Sequence, residues 1–212
     1  MGINSDRINK GKLSNDLVTW IKFKGGDENA FAILYKNYFY TLYNYGIKFT
    51  NDKELVKDGI HDLFVNLKRY RSKLTAFEND QSGSANPVKF YLFRSFRRIL
   101  TSKLSDSYFH LLTNDIPNNY HFDAVVSCEE DLILEESQRS RIQRLNKSLK
   151  KLPPRQKEAI YLRFYEGYSF EQIAELMNSN NIKSTRGLIY KALDNLRKYL
   201  EINISILLSV LL

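Results

Sequence analysis

A lone cysteine, Cys128, in a chain of 212 residues excludes an intramolecular disulfide. The three histidines, His61, His110 and His121, stand at no metal-ligand spacing with cysteine or carboxylate, so a zinc site lacks its ligands. No glycine-rich phosphate loop and no nucleophile elbow occurs. The opening residues MGINSDRINKGK are polar and lack the apolar region of a secretory signal, which makes the cytoplasm the expected compartment. The one strongly apolar run, ISILLSVLL at Ile204 to Leu212, is far shorter than the roughly 20 residues that span a bilayer, and is expected to pack against a domain or a partner. What the chain does have is positive charge: 32 Lys and Arg against 24 Asp and Glu, a formal net charge of +8 and a pI near 9.4. Such a balance points to an acidic partner, nucleic acid or an anionic membrane surface.

The pattern between the breaks is helical throughout. Leu17, Val18, Trp20 and Ile21 recur at helical spacing until Gly25 and Gly26, and Asp27 is placed to cap the next helix, a tyrosine-rich run to about Phe49 whose aromatic stripe reads as core. After a break at Thr50, Asn51 and Asp52, a helix from Lys53 to about Lys73 buries Val56, Ile60, Leu63, Phe64, Leu67 and Tyr70. Asp58, Asp62, Val65 and Arg69 fall in one opposite arc, with Asn66 beside them. Two carboxylates around an outward valine suit a protein-docking surface; an ordinary solvated face is the alternative.

A polar loop, Thr75 to Asn86, leads to Pro87 and a helix to about Lys103 that carries no acidic residue. Its wheel buries Val88, Leu92, Phe93, Phe96, Ile99 and Leu100 and turns Phe90, Arg94, Arg97, Arg98 and Thr101 outward, with Tyr91 at the edge. Outward aromatics among arginines suit single-stranded DNA, because bases stack on the rings while cations hold the backbone. From Ser105 to about Ser137 the periodicity weakens and acids gather at Glu129, Glu130, Asp131, Glu135 and Glu136, as in a linker. A basic helix with Arg141, Arg144, Lys147, Lys150 and Lys151 follows.

From Leu152 to Leu200 three helices are separated by two stops. Pro153 and Pro154 open the first, Gly167 caps it, Ser169 with Gln172 forms a capping box for a short second helix to Met177, and a polar turn precedes the third near Ser184. At about 100° per residue the third buries Leu188, Ile189, Ala192, Leu193, Leu196, Tyr199 and Leu200 and presents Arg186, Gly187, Tyr190, Lys191, Asp194, Arg197 and Lys198. The layout is helix-turn-helix, and its basic face suits a phosphate-lined groove.

These residues resemble the extracytoplasmic-function group of bacterial sigma-70 factors, most like their iron-transport and Bacteroidetes-type subgroup. LYKNYFYTLYNYGIKFTNDKELVKDGIHDLFVNLKRY is similar to the family's regions 2.1 and 2.2, and NPVKFYLFRSFRRILTSKL to regions 2.3 and 2.4. LPPRQKEAIYLRFYEGYSFEQIAELM resembles the start of region four, and STRGLIYKALDNLRKYL its recognition helix. The turn before Lys183 is about one residue longer than the family's usual one, and SKLSDSYFHLL replaces a more basic end after region 2.4.

The resemblance implies an all-α chain: a region 2 domain over residues 1–104, a flexible linker over 105–138, a region 4 helix-turn-helix domain over 139–203 and an apolar tail over 204–212. It implies that Asp58, Asp62, Val65, Asn66 and Arg69 dock on the β′ clamp helices of core RNA polymerase. Phe90, Tyr91, Arg94, Arg97 and Arg98 would melt and read the minus-ten element. Lys183, Ser184, Thr185, Arg186, Tyr190 and Lys191 would enter the major groove at the minus-thirty-five element. The implied partners are core polymerase (β′ clamp helices and β flap), promoter DNA and a membrane-associated anti-sigma factor. No small-molecule substrate, cofactor, metal or catalytic residue is implied. The competing reading is a self-sufficient helix-turn-helix repressor or activator. A nucleic-acid-processing enzyme would need a convergent carboxylate cluster, and the acids here lie on an outward helix face or in the linker.

Overall fold

The computed structural model describes residues 5–74, 77, 86–105, 120–123, 136–179 and 181–200, with side chains from residue 15 in the first helix and residue 142 in the fifth. The acidic run at Glu129 to Glu136 and the apolar tail fall outside the described residues or side chains. Among the described residues the chain is helical and contains no strand. It divides into two compact units, Met1–Thr113 and Asn114–Leu212. No helix among the described residues is long and apolar enough to cross a membrane.

The first unit holds α1 (Ser5–Lys24), α2 (Glu28–Gly46), α3 (Lys53–Arg69), a 3-10 turn (Arg71–Lys73) and α4 (Pro87–Leu104). The first helix begins well before Asn15, where its apolar periodicity starts. Its stop is the expected one: Gly26 takes φ +104, and the Asp27 carboxylate then accepts from the N–H groups of Asn29 and Ala30 to start α2. Asp52 caps α3 in the same way, accepting from Glu54 and Leu55. Trp20, Leu42, Tyr45, Val56, Ile60, Phe93 and Phe96 form a closed core. Tyr70, expected inside, is 47% exposed because α3 has already ended at Arg69.

A buried polar knot ties three helices together. The Tyr38 hydroxyl donates to Asp16 (2.5 Å), and the Asn86 amide also donates to Asp16 (2.8 Å) while its oxygen accepts the Lys89 N–H as the N-cap of α4. Burial first, then the Asp16 carboxylate, pushes the Tyr38 hydroxyl well above the usual phenol range.

Helices α2 and α3 approach closely at Gly46. A Cβ there would lie 2.6 Å from Val56 Cγ1 and 3.0 Å from Phe96, and both neighbours are fully buried. Alanine gains about 1 kcal/mol of helix propensity over glycine, but overpacking against a stiff β-branched residue costs about 1–3 kcal/mol. Gly46→Ala is therefore expected to lower the urea midpoint of this unit; a raised midpoint would show that Val56 can move aside.

The second unit holds α5 (Glu136–Lys150), α6 (Pro154–Ile160), a π-helical turn (Tyr161–Tyr165), α7 (Phe170–Leu176) and α8 (Ile182–Leu200). Pro154 sits in the first turn of α6, Gly167 takes φ +75, and both halves of the Ser169–Gln172 capping box are formed. The structure departs from a plain linker at Tyr120–Asp123. Phe122 is 0% exposed with its ring 5.9 Å from Tyr161, and the Tyr120 hydroxyl donates to the fully buried Glu158 carboxylate. This short segment is part of the core of the second unit.

Candidate nucleic-acid interface

The turn between α7 and α8 is built from left-handed and capping residues. Asn178 takes φ 52, a region asparagine tolerates, and the Asn181 side chain accepts the Ser184 N–H (2.6 Å), so α8 starts at Ile182. Thr185, Ile189, Ala192, Leu193 and Leu196 form its buried stripe. Lys183, Ser184, Arg186, Tyr190 and Lys191 all lie exposed, Tyr190 at 57%. Five of the six residues expected on the DNA-facing side therefore share one accessible surface.

Thr185 is the exception and a correction. It is 2% exposed, with its hydroxyl directed to the Asn181 carbonyl (3.4 Å). It precedes Ile189 by one helical turn, and so extends the buried stripe. At the other end of α8, Tyr199 was expected inside but is 42% exposed, with Lys151 Nζ 5.2 Å from its ring centre; Leu188 is half-buried.

In the first unit, α3 and α4 pack side by side and leave a groove of about 530 Å3 between them. Asp62, Val65, Asn66 and Arg69 line it from α3, and Arg98, Ile99 and Lys103 from α4. Val65 is 42% exposed, so it faces outward as the helical wheel places it. Asp62 is bound to Lys103 Nζ at 2.7 Å, a partner that no helical wheel could supply. Asp58 is exposed but lies off the groove. Residues expected to face polymerase and one expected to face DNA, Arg98, thus meet along one surface.

The α4 face needs a second correction. Arg97 is only 2% exposed, among the largest fully buried side chains, and Thr101 is buried with its hydroxyl donating to the Arg97 carbonyl (2.7 Å). The reason is geometric: α4 packs against α1, α2 and α3, so its buried arc is wider than that of a surface helix. Arg97 lies only about 40° round the wheel from Phe93 and falls inside that arc. Phe90 and Tyr91 are half-buried, and Tyr91 packs edge-on against Trp20 at 5.4 Å. Arg94 and Arg98 are exposed.

One cluster beside α8 went unread in the sequence. Phe170, the first residue of α7, has the guanidinium carbons of Arg163 and Arg186 at 4.8 and 5.1 Å from its ring centre, and the Tyr190 ring at 6.3 Å. An aromatic directly after a capping serine was the only available signal.

The fold and this surface define a two-unit helical protein whose C-terminal unit presents a helix-turn-helix with a basic outer face. Residues 142–193 match the family described as Sigma-70, region 4, a span that contains every candidate residue on α8. No curated protein matches the sequence. Among solved structures the chain is similar to CnrH in its complex with the cytosolic domain of CnrY: 20% identity, a TM-score of 0.53, and coverage of 88% of this chain and 97% of that one. At that identity the likeness establishes a shared fold spanning nearly the whole of both chains.

Proposed function

We propose that this protein is a sigma factor of the extracytoplasmic-function group, acting in the cytoplasm without catalytic chemistry of its own. It binds core RNA polymerase, places its two units on promoter DNA and stabilises the opened non-template strand. The observation that carries the reading is the region 4 match over residues 142–193, coinciding with an α8 surface of Lys183, Ser184, Arg186, Tyr190 and Lys191. In this reading the region 2 domain, residues 1–104, docks on the polymerase β′ clamp helices and meets the minus-ten element. The region 4 domain, residues 139–203, engages the β flap and the minus-thirty-five element. The iron-transport, Bacteroidetes-type subgroup is the one the sequence resembles. The similar fold of CnrH was solved with the cytosolic domain of another protein, and by that likeness we include a membrane-associated anti-sigma factor among the partners.

Run-off transcription with core polymerase from a related bacterium, on a library of matching genomic fragments, tests the reading. New discrete start sites that depend on the protein are expected. Their absence, together with tight binding of the protein alone to duplex DNA, would replace the sigma reading with a self-sufficient repressor or activator.

Two substitutions separate the surfaces. Asp62→Arg puts a cation beside Lys103 in the α3–α4 groove and is expected to weaken core-polymerase binding with little change in the thermal midpoint, because Asp62 is half exposed and its ion pair contributes at most about 1 kcal/mol. Unchanged affinity for core enzyme would move the docking face elsewhere. Arg186→Ala is expected to cost about 1–3 kcal/mol on the proper upstream element and much less on a scrambled one, as loss of a bidentate base contact does. A uniform loss on both duplexes would make Arg186 a phosphate contact.

A further inference from the structure

The exposed Arg186 of α8 does not project alone. Its guanidinium carbon rests 5.1 Å from the ring centre of Phe170, and its Nη2 lies 3.7 Å from the Glu171 carboxylate. The Tyr190 ring, one turn further along α8, stands 6.3 Å from the same phenyl group. Arg163 reaches Phe170 from the π-helical turn, and its Nη1 donates to the Tyr168 carbonyl at 2.9 Å, which fixes that side chain to the backbone. Phe170 is itself held in place: it follows the closed Ser169–Gln172 capping box, whose two bonds measure 3.2 and 2.9 Å. A half-buried ring on a capped backbone therefore sits beneath a long, otherwise rotamer-rich side chain.

We infer that Phe170 is a positioning residue for DNA reading: its ring holds the Arg186 guanidinium in the orientation that meets a base edge. The inference rests on the sigma reading of α8. An arginine side chain gives up to about 2 kcal/mol of rotamer entropy when it is immobilised, so a side chain ordered before binding gives up less on DNA. A flat ring suits this task because a guanidinium stacks on it while keeping its donor fork free to point outward. The single contact to Glu171 is long and exposed on both sides, and a phosphate or base acceptor can displace it.

Two measurements on the full chain test the role. The first needs no DNA: in the wild-type protein the Arg186 Nε–H resonance is expected upfield-shifted by the ring current. It should return towards its free position in Phe170→Leu and stay put in Phe170→Tyr. An Arg186 signal indifferent to Phe170→Leu would overturn the contact itself. The second uses duplexes carrying the upstream element of a promoter mapped by run-off transcription, and the same duplexes with that element scrambled. Phe170→Leu is expected to lower the preference for the proper element about two- to fivefold, the fold-change an exposed cation–π contact is worth, with rescue by Phe170→Tyr. In an Arg186→Ala background the same change should have no further effect. An equal loss in that background, or an equal loss on both duplexes, would assign Phe170 to packing and overturn the positioning role. Failure of the sigma reading looks different: wild-type protein would then give no protein-dependent start sites while the resonance of Arg186 still responded to Phe170.

Discussion

Phe122→Ala is expected to destabilise the C-terminal unit by about 3–5 kcal/mol, the range for truncating a fully buried phenylalanine, although the residue lies in a stretch that reads as linker. The side chain is 0% exposed and packs near Tyr161, so its removal opens a cavity beneath the π-helical turn that precedes the capping box. The two units offer separate readouts. Trp20, the only tryptophan, belongs to the first unit and is fully buried, so its fluorescence follows that unit alone. Far-ultraviolet circular dichroism follows both. In the variant an early loss of helical signal should precede an unchanged tryptophan transition. A circular dichroism melt that overlays the wild type would show that the anchor adds nothing to the stability of the second unit.

The second large effect concerns Arg97. Arg97→Ala is expected to cost the first unit about 2–4 kcal/mol, because it deletes a large buried side chain between packed helices and strands whatever it bonds. The exposed neighbour Arg94 is the control: Arg94→Ala should stay within about 0.5 kcal/mol of wild type in stability. The tryptophan transition reports both. Were Arg97→Ala to keep the wild-type midpoint while weakening binding to single-stranded DNA, the outward-facing role for that arginine would be restored.

These two positions show where the sequence could be read and where it could not. Caps and stops depend on a few adjacent residues, so Asp27, Asp52, Gly167 and the Ser169–Gln172 box formed as their local chemistry required. The apolar stripe of α8 was legible at Ile189, Ala192, Leu193 and Leu196 because a strong period fixes a face. The width of a buried arc is set by how many neighbours surround a helix, which no single wheel contains. Arg97 and Thr101 were misplaced for that reason, since polarity marked them as outward, whereas Thr185 lies on the α8 stripe itself, one turn before Ile189. Tyr120 and Phe122 were hidden differently: an irregular segment has no period, and its burial depends on a partner, Glu158, far along the chain. The Asp62–Lys103 pair and the stack of Arg186 on Phe170 likewise join separate helices.

The anchor at Tyr120 also sets a reach. Between α4 and α5 the chain runs from residue 105 to residue 135, but only residues 105–119 lie between the end of the first unit's last helix and the anchored segment. Fully extended, that stretch spans no more than about 54 Å, against roughly 110 Å for the whole connection. With Phe122 seated, the reach of the chain from α4 to the core of the second unit is limited by fewer than half of the residues that join α4 to α5.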